Sequence, residues 1–373
     1  MKNKFSFRNF LAVALFLLVL SVFLYIANLV VFDVVVLVLN ITDHAVLVSL
    51  GTIFGVLSAS FIVSSLLGMR YYNAFTRMYY YCSSVWIGFF TYTFLAAFVY
   101  GITSTVLGEP LVLFAQAMLA VVLIAIIYGI FHARRIIVTE IKISLPRLPE
   151  KWRGRKAVWF SDIHLGQIYD ERFTQKIVDA VNAIPHDIVF VGGDLYDGTQ
   201  APDIERFVLP LAKFSAPLGI YFITGNHEEF GDNAKFVSAV KSLDIHILMD
   251  TMKEIDGLQI IGVDYKNAMH KKDFKKVLSS IPFNPNKPSI LLKHDPKDIE
   301  VAAHAGISLQ ISGHTHKAQM WPLGYIAEVI YGKFVYGFHQ FKKMHVYTSS
   351  GVGTWGPPMR VGSDSEIVVF TFE

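Results

Sequence analysis

The charged residues of this chain are distributed very unevenly, and this constrains its fold more than any other feature. Residues 1–133 hold eight charged side chains, whereas 55 lie in the remaining 240 residues. The charged fraction of residues 134–373 is close to the roughly 25% of an ordinary soluble domain, while that of residues 1–133 is far below it. The sequence therefore predicts a transmembrane domain of about four helices over residues 1–133, a basic juxtamembrane linker over 134–155, and a water-soluble domain over 156–373.

Four apolar stretches in the first part are long enough to cross a bilayer, which takes about 20 residues. They run approximately from Phe10 to Phe32, Ala45 to Met69, Met78 to Tyr100 and Leu111 to Phe131. A further apolar run, Val34–Ile41, either extends the first helix or dips into the membrane interface. A cleaved signal peptide is the alternative for the first stretch, but this stretch is too long for one and lacks a clear small-residue cleavage site.

The positive residues that flank these stretches predict their orientation, because lysine and arginine favour the cytoplasmic side. They lie before the first stretch, between the second and third, and after the fourth, at Lys2, Lys4, Arg8, Arg70, Arg77, Arg134 and Arg135. The two loops on the opposite side contain neither lysine nor arginine. We therefore expect an integral protein of the plasma or inner membrane, with both termini and the soluble domain in the cytoplasm.

Two further features fit a cytoplasmic membrane surface. Five tyrosines in and beside the connection between the second and third apolar stretches are typical of an interfacial aromatic belt. They are Tyr71, Tyr72, Tyr79, Tyr80 and Tyr81. The linker over 134–155 is rich in lysine and arginine, which anionic lipid headgroups attract; the alternative, which does not exclude this, is a solvated first strand and linker. The membrane lipid bilayer is therefore an expected partner.

The soluble part alternates short apolar runs with amphipathic ones, which predicts an α/β sandwich. Buried strands are predicted at Ala157–Ser161, Ile188–Val191, Ile220–Thr224, Ser289–Leu292 and Leu309–Ile311. Polar side chains follow the ends of these strands, namely Asp162, His164, Asp194, Asn226, His227, His294, His314 and His316. Ligand sites in α/β sheets lie at the carboxyl ends of strands, so we expect these side chains at one edge.

In their order along the chain, these residues form the motifs Asp-x-His, Gly-Asp, Gly-Asn-His, His and Gly-His-x-His. Each motif alone is a weak signal, but the ordered set resembles the calcineurin-like metallophosphoesterase superfamily over about residues 155–373. Ser349–Gly353, Arg360 and Glu366 are similar to the C-terminal stretch of its bacterial, membrane-associated branch. The resemblance implies a metallophosphoesterase β-sandwich flanked by helices, an α/β fold, preceded by the all-α membrane region.

The resemblance also implies two divalent metal ions and a role for each motif residue. Asp162, His164 and His316 would bind one ion, Asn226, His294 and His314 the other, and Asp194 both. His227 would be the catalytic acid, with Glu228 or Asp197 orienting the site, although the family more often has aspartate where this chain has Glu228. Imidazole and oxygen ligands suit manganese, iron or zinc. Two such ions would turn a shared water into hydroxide at neutral pH.

These observations predict a membrane-embedded phosphoric ester hydrolase or diphosphatase whose phosphate-containing substrate is lipid-linked, since a multi-helix anchor suits such a substrate. The aromatic stretch from Trp321 to Phe341 is expected either to touch the membrane or to form an ordinary hairpin on the core. Two alternatives stay open: a phosphodiesterase for soluble, nucleotide-type substrates, and a membrane transporter or sensor with a regulatory metal-binding domain. A net charge of +3 gives no reason to expect nucleic-acid binding, and nothing in the sequence indicates the oligomeric state.

Overall fold

The computed structural model describes residues 25–198, 203–230 and 233–373. The chain divides into two compact units. Of the described residues, the first contains 25–64 together with Cys82–Ile127, and the second contains Ser65–Tyr81 together with those from Tyr128 to Glu373. The second unit therefore includes a short segment that joins two apolar helices as well as the soluble domain.

The apolar part of the chain is helical where it is described. Its helices are α1 (Tyr25–Leu39), α2 (His44–Gly68), α3 (Ala74–Leu107) and α4 (Val112–His132). Among the described residues, α2, α3 and α4 are long and apolar enough to cross a membrane. These helices confirm three of the four predicted stretches. The predicted first stretch, from Phe10, lies mostly outside the described residues, and α1 continues past Phe32, so the run that begins at Val34 extends this helix.

Short polar breaks determine where the apolar helices begin. The backbone N–H of Val46 donates to Oδ1 of Asp43 at 3.0 Å, which caps the start of α2. At the start of α3, the backbone N–H of Thr76 donates to Oδ1 of Asn73 at 3.0 Å, and the N–H of Asn73 donates to Oγ1 of Thr76 at 3.1 Å. This reciprocal pair satisfies backbone donors that the helix itself cannot pair.

Aromatic rings and one polar contact hold helices of the first unit together. The ring of Phe54 packs edge-on against those of Phe32 and Trp86, with centroids 5.7 Å and 5.1 Å away. The hydroxyl of Ser58 lies 2.6 Å from Oδ1 of Asn28 and donates to it. Asn28 thus forms a hydrogen bond between helices, a common use of polar residues at membrane depth.

The described residues of the second unit contain two six-stranded sheets. One sheet has the order β1-β12-β2-β3-β4-β5 and the other β10-β11-β9-β8-β7-β6. The strands are β1 Ile136–Ile143, β2 Lys156–Phe160, β3 Ile188–Val191, β4 Ile220–Phe222, β5 His246–Ile247, β6 Thr251–Ile255, β7 Leu258–Gly262, β8 Ser289–Leu292, β9 Leu309–Ser312, β10 Gly337–Phe341, β11 Met344–Thr348 and β12 Ser365–Phe372. The helices are α5 Glu171–Asn182, α6 Ile204–Val208, α7 Asn233–Lys241, α8 Lys271–Ser280, α9 Ile299–Ala305 and α10 Gly324–Tyr331.

Alternating apolar side chains on the strands build three layers of core. On β2, Trp159 faces the core between the two sheets, which also contains Phe190 and Leu292. Its neighbour Val158 points the other way, into a core shared with α5, α6 and α7. A third core joins the second sheet to α8 and α9, with Phe274 fully buried at its centre. This arrangement confirms the predicted α/β sandwich with flanking helices.

The sheet begins earlier in the chain than the predicted start of the domain. Residues Ile136–Ile143, which lie in the predicted linker, form β1 and pair in parallel with β12. The hydroxyl of Ser365 also donates to the carbonyl of Ala133 at 2.9 Å. Isoleucines at 136, 137, 141 and 143 give this basic segment enough β-branched character to join the edge of the sheet.

Candidate metal centre

Five loops bring the predicted site residues together. They follow β2, β3 and β4 in one sheet and β8 and β9 in the other, and each of these groups of strands is parallel. Three overlapping sets have their ligand atoms within 4.8 Å of one another: Asp162, His164 and His316; His164, Asp194 and His227; Asp194, His294 and His314. Asn226 joins them through Oδ1, which lies 2.8 Å from Nδ1 of His314. All seven predicted ligand positions and His227 therefore lie in one cluster.

Asp194 lies between the two halves of this cluster. Its Oδ2 is 3.2 Å from Nε2 of His294 on one side and 3.9 Å from Nε2 of His164 on the other. The Nε2 atoms of His164 and His316 are 3.0 Å apart and point into the same space. A carboxylate in this position is suited to bridge two ions about 3.5–4 Å apart.

The backbone of the cluster is strained. Five of the predicted ligands have left-handed φ angles between 49° and 71°, namely Asp162, His164, Asp194, His314 and His316. Each such residue costs roughly 1–3 kcal/mol and persists only where the surrounding structure enforces it. Strain concentrated on the residues with the chemically active side chains is typical of a functional site.

Two glycines allow the strand-end loops to approach the carboxylates closely. A Cβ atom on Gly225 would lie 2.2 Å from Oδ1 of Asp194, and one on Gly313 would lie 2.4 Å from Oδ2 of Asp162. Both distances are far below van der Waals contact, so any other residue would displace a carboxylate. The glycines of these two motifs are therefore required by packing around Asp162 and Asp194.

The hydrogen bonds behind the cluster fit a metal site. Nδ1 of His294 lies 2.8 Å from the carbonyl oxygen of Gly192. A carbonyl only accepts, so Nδ1 carries the proton and Nε2 faces the carboxylates of Asp194 and Asp162. Histidines that bind metals usually donate their other N–H in this way, which fixes the ring and its tautomer.

The charges of the cluster fit a cation as well. Burial lowers the pKa of His164 and His316 well below the usual value, so both rings are neutral, the form in which imidazole binds a metal. Burial opposes charge on His294 too, but the carboxylates of Asp194 and Asp162 raise the pKa of that ring to about 10. The two carboxylates therefore stabilise positive charge at this point, which is the charge a divalent ion brings.

His227 lies at the edge of the cluster with its ring orientation fixed. Its backbone N–H donates to Oδ1 of Asp194 at 2.9 Å, and its Nδ1 lies 3.0 Å from the carbonyl oxygen of Asp197. Because that carbonyl only accepts, Nδ1 carries a proton. The ring centroid is 4.5 Å from that of His164 and 5.8 Å from that of Trp355, which is 57% exposed. His227 thus connects the buried cluster to the solvent-accessible side.

Glu228 holds two of the site loops together. Its fully buried carboxylate accepts four backbone N–H groups, from Asp194, Leu195 and Tyr196 after β3 and from Gly225 after β4, at 2.6–3.2 Å. Burial, and after it the negative charge of Asp194, raise the pKa of Glu228 to about 7. The longer glutamate therefore anchors the backbone of these loops, and these contacts specify the orienting role that the resemblance implied for it or for Asp197.

Arg360 fixes the loop after β11 beside the cluster. This fully buried guanidinium donates through Nη2 to the carbonyls of Ser350 at 2.7 Å and Gly353 at 2.6 Å, and through Nη1 to that of His316 at 3.4 Å. Glu366 accepts the backbone N–H of Ser350 at 2.8 Å. The sequence singled out Arg360 and Glu366 only by resemblance, and their roles follow from these contacts.

The α2–α3 connection, which we define as Ser65–Tyr81, packs on the loop after β2. Arg77 forms an ion pair with Asp170 at 2.8 Å, and its Nε donates to the carbonyl of Gln167 at 3.2 Å. The side-chain amide of Gln167 donates in turn to the carbonyl of Gly68 at 2.8 Å. This segment therefore belongs to the same compact unit as the cluster of predicted ligands.

Tyr80, near the end of the connection, reaches a residue that supports His227. Its hydroxyl donates a hydrogen bond to the carboxyl group of Asp197. Burial raises the pKa of Asp197 to about 8, the charge of Asp194 adds to this, and the Tyr80 hydrogen bond opposes it. Asp197 lies 3.8 Å from Nδ1 of His164. The sequence suggested only an interfacial role for Tyr80, because its partner is distant in the chain.

Comparisons with known proteins agree with this geometry. Residues 156–318 match the model of the calcineurin-like phosphoesterase family. A metallophosphoesterase of Campylobacter jejuni is 31% identical over 240 residues, which cover 63% of this chain and 63% of that protein. A transmembrane protein with a metallophosphoesterase domain from Danio rerio is 32% identical over 273 residues, which cover 68% of this chain and 62% of that protein. A metallophosphoesterase of Bacillus subtilis is 29% identical over 245 residues, covering 63% and 85%.

The chain spans less than two thirds of the length of the first two of these relatives. The matched residues 156–318 include the strands and loops that form the cluster, and one relative is itself described as a transmembrane protein. The chain therefore carries a calcineurin-like metallophosphoesterase domain over residues 156–318, which follows the apolar helices α2, α3 and α4.

Proposed function

We propose that this protein is a membrane-anchored, metal-dependent hydrolase that cleaves a phosphate ester or diphosphate of a lipid-linked substrate at the cytoplasmic face. The observation that carries the proposal is the single cluster formed by the seven predicted ligand positions and His227. A domain that had lost catalysis would have no reason to keep this set together with the left-handed backbone that it requires.

We assign the ligands to two divalent ions by their position in the cluster. Asp162, His164 and His316 would hold one, Asn226, His294 and His314 the other, and Asp194 would be shared. Oxygen and imidazole donors suit manganese, iron or zinc. When bound, two such ions would supply an activated water and neutralise charge on the phosphate.

The residues of the chain itself would position the substrate and move the proton. Nδ1 of His227 donates to the carbonyl of Asp197, which leaves Nε2 as the ring nitrogen that can reach the leaving group. Protonating the departing oxygen from this nitrogen would make an alcohol or phosphate a better leaving group. The exposed indole of Trp355 beside His227 would form one wall of the entrance.

The membrane part of the chain supports two parts of the proposal, namely that the substrate is lipid-linked and that it is cleaved on the cytoplasmic side. Helices α2–α4 keep the domain at a membrane, where a substrate with an acyl or isoprenoid chain is concentrated. All lysines and arginines that flank the apolar stretches lie on the side predicted to be cytoplasmic. A reporter fused after Glu373 should be active only in the cytoplasm, and activity only outside the cell would contradict this assignment.

The first test is hydrolysis by the full chain, purified in detergent with Mn²⁺. We expect turnover of bis-p-nitrophenyl phosphate or p-nitrophenyl phosphate and faster turnover of a panel of lipid phosphates and diphosphates. Asp194→Asn should lose at least about 100-fold in activity and bind less metal. Losing a ligand that both ions share should cost more than losing a residue that only hydrogen-bonds a ligand. Full activity and metal content in this variant would contradict the metal assignment.

A second test separates the acid from the ligands. His227→Ala should lower kcat about 100-fold or more for poor leaving groups but much less for p-nitrophenol, which needs little protonation. Metal content should stay that of the unchanged protein. Equal losses for good and poor leaving groups would show that His227 does not act as the acid.

A further inference from the structure

Helix α10 (Gly324–Tyr331) presents an apolar surface that the described domain leaves uncovered. Every residue of this helix is at least partly exposed. Its most exposed apolar side chains recur at one-turn spacing on a single face: Tyr325 at 64%, Ile326 at 62%, Val329 at 87% and Ile330 at 59%. Adjacent large apolar side chains with this exposure are typical of a surface that meets another apolar phase.

The start of α10 is connected to the end of an apolar helix. Just before α10, the backbone N–H of Trp321 donates to the carbonyl of Val361 at 2.7 Å. The neighbouring Arg360 donates its backbone N–H to the carbonyl of Gly129, in the last turns of α4, at 2.9 Å. Gly129 has room for this contact only because it lacks a Cβ atom, which would lie 2.9 Å from the Val361 side chain.

The other end of α10 reaches the metal cluster. The ring of Tyr331, the last residue of the helix, lies 5.9 Å from that of His314. An eight-residue helix is about 12 Å long. Helix α10 and the residues just before it therefore lie between the end of α4 and a predicted ligand.

A groove lies along α10 and combines apolar with basic walls. Its cavity has a volume of about 690 Å³, within the range of sites for small molecules. Trp321 and Tyr325 form its apolar side and Lys317 and Lys333 its basic side, while Glu328 of α10 contributes one negative charge, so that the two lysines outnumber it. Lys317 directly follows the predicted ligand His316, and its Nζ lies 4.6 Å from the centre of the Tyr336 ring.

We propose that the exposed face of α10 lies in the surface of the membrane and that this groove holds the apolar chain of an anionic phospholipid drawn from it. The lysines complement the negative headgroup, and the aromatic wall contacts the chain. The substrate part of this inference rests on the proposed function, whereas the membrane contact of α10 does not. In this proposal α10 contacts the same leaflet from which the lipid is drawn, because α10 lies beside the end of α4.

The membrane contact is tested without measuring activity. In a Cys82→Ser background, Val329→Cys carries an environment-sensitive fluorophore, and the full chain is reconstituted in vesicles of phosphatidylcholine and phosphatidylglycerol. We expect emission at shorter wavelength and quenching by lipids with quenchers near the headgroup. The matched control is Met269→Cys, since Met269 is an exposed apolar residue before α8, at 42%. A Val329 label as solvent-exposed as the Met269 label would overturn the membrane contact.

The groove is tested with a photoactivatable phosphatidic acid in phosphatidylcholine vesicles. We expect crosslinks to residues 317–339 that fall severalfold in Lys317→Gln/Lys333→Gln and that a neutral photoactivatable phosphatidylcholine does not give. Crosslinks confined to the apolar helices would overturn the groove assignment. A crosslinked groove in a protein that hydrolyses only soluble esters would instead refute the proposed lipid substrate, so the two failures are distinguishable.

Discussion

Two aromatic segments adjoin the candidate metal-binding cluster, and they differ in how much of their surface the domain covers. The α2–α3 connection is fastened to the domain, with Arg77 paired to Asp170 at 2.8 Å and the Tyr80 side chain only 5% exposed. Helix α10 leaves Val329 87% exposed, and Tyr325, Ile326 and Ile330 on the same face are each more than half exposed. The first segment therefore acts as part of the domain's own structure, whereas the second has apolar surface left for a partner.

This difference predicts two different effects on the candidate site, one for the α2–α3 connection and one for α10. A fastened segment affects the cluster whatever the substrate, because the loop after β2 carries both His164 and the residues that contact the connection. An uncovered helix affects only substrates that reach the site through the surface it contacts. Measurements that compare soluble and lipid substrates therefore distinguish the two.

The largest effect is expected from removing residues 1–133. This deletes Ser65–Tyr81 and the Gly129 contact of Arg360, both of which support the site loops. We expect the soluble fragment to lose about 10- to 100-fold in kcat even on a soluble nitrophenyl ester, since small displacements of catalytic groups are costly, and to lose more on lipid substrates. The measurement is kcat/KM of fragment and full chain on both substrates. A fragment with full activity on the soluble ester would show that the connection serves only as a tether.

The contrast between these segments also explains how far the sequence predicts the site. The ligands could be found because each follows a short apolar strand at a fixed local spacing, and Asp162, Asp194 and His294 converge once the strands are parallel. The strand ends themselves lie within a residue or two of the predicted ones. Local patterns alone therefore carried most of the fold and the positions of the candidate ligands.

The contacts of the supporting residues could not be predicted in that way, because their partners are distant in the chain, and the resemblance singled out Glu228 and Arg360 without giving their partners. Glu228 binds the backbone of two loops, and Tyr80 reaches Asp197 from an apolar helix. Arg360 binds carbonyl groups, which have no sequence signature at all. The predicted domain boundary falls after β1 for a related reason, since the basic residues of this segment leave both a linker and a solvated strand open, and its isoleucines pair with the distant β12 at the edge of the sheet.

A smaller effect is expected from loosening the connection without removing it. Arg77→Gln removes the ion pair with Asp170 and weakens the hydrogen bonds to the loop after β2. We expect a loss of about tenfold in kcat, similar for soluble and lipid substrates, because the loop that carries His164 is less well positioned. The matched control is Arg70→Gln, an exposed arginine of the same segment, which should be close to unchanged. A loss limited to lipid substrates would assign Arg77 to the membrane rather than to the site.

The smallest effect is expected on α10, and it should depend on the form in which the substrate is offered. Val329→Asp places a charge on the face that we assign to the membrane surface, which disfavours insertion. Because the side chain is 87% exposed, the free energy of unfolding in detergent should change by no more than about 0.5 kcal/mol. We expect kcat/KM for a lipid phosphate to fall about fivefold in vesicles, the size of roughly 1 kcal/mol of lost interaction, and to fall less in detergent micelles, where the substrate no longer has to leave a bilayer. Met269→Asp is the control, since it adds the same charge to an exposed apolar position of the domain away from α10. Equal activity of Val329→Asp and Met269→Asp in vesicles would show that α10 is more exposed than the α2–α3 connection but does not contact the membrane through its exposed face.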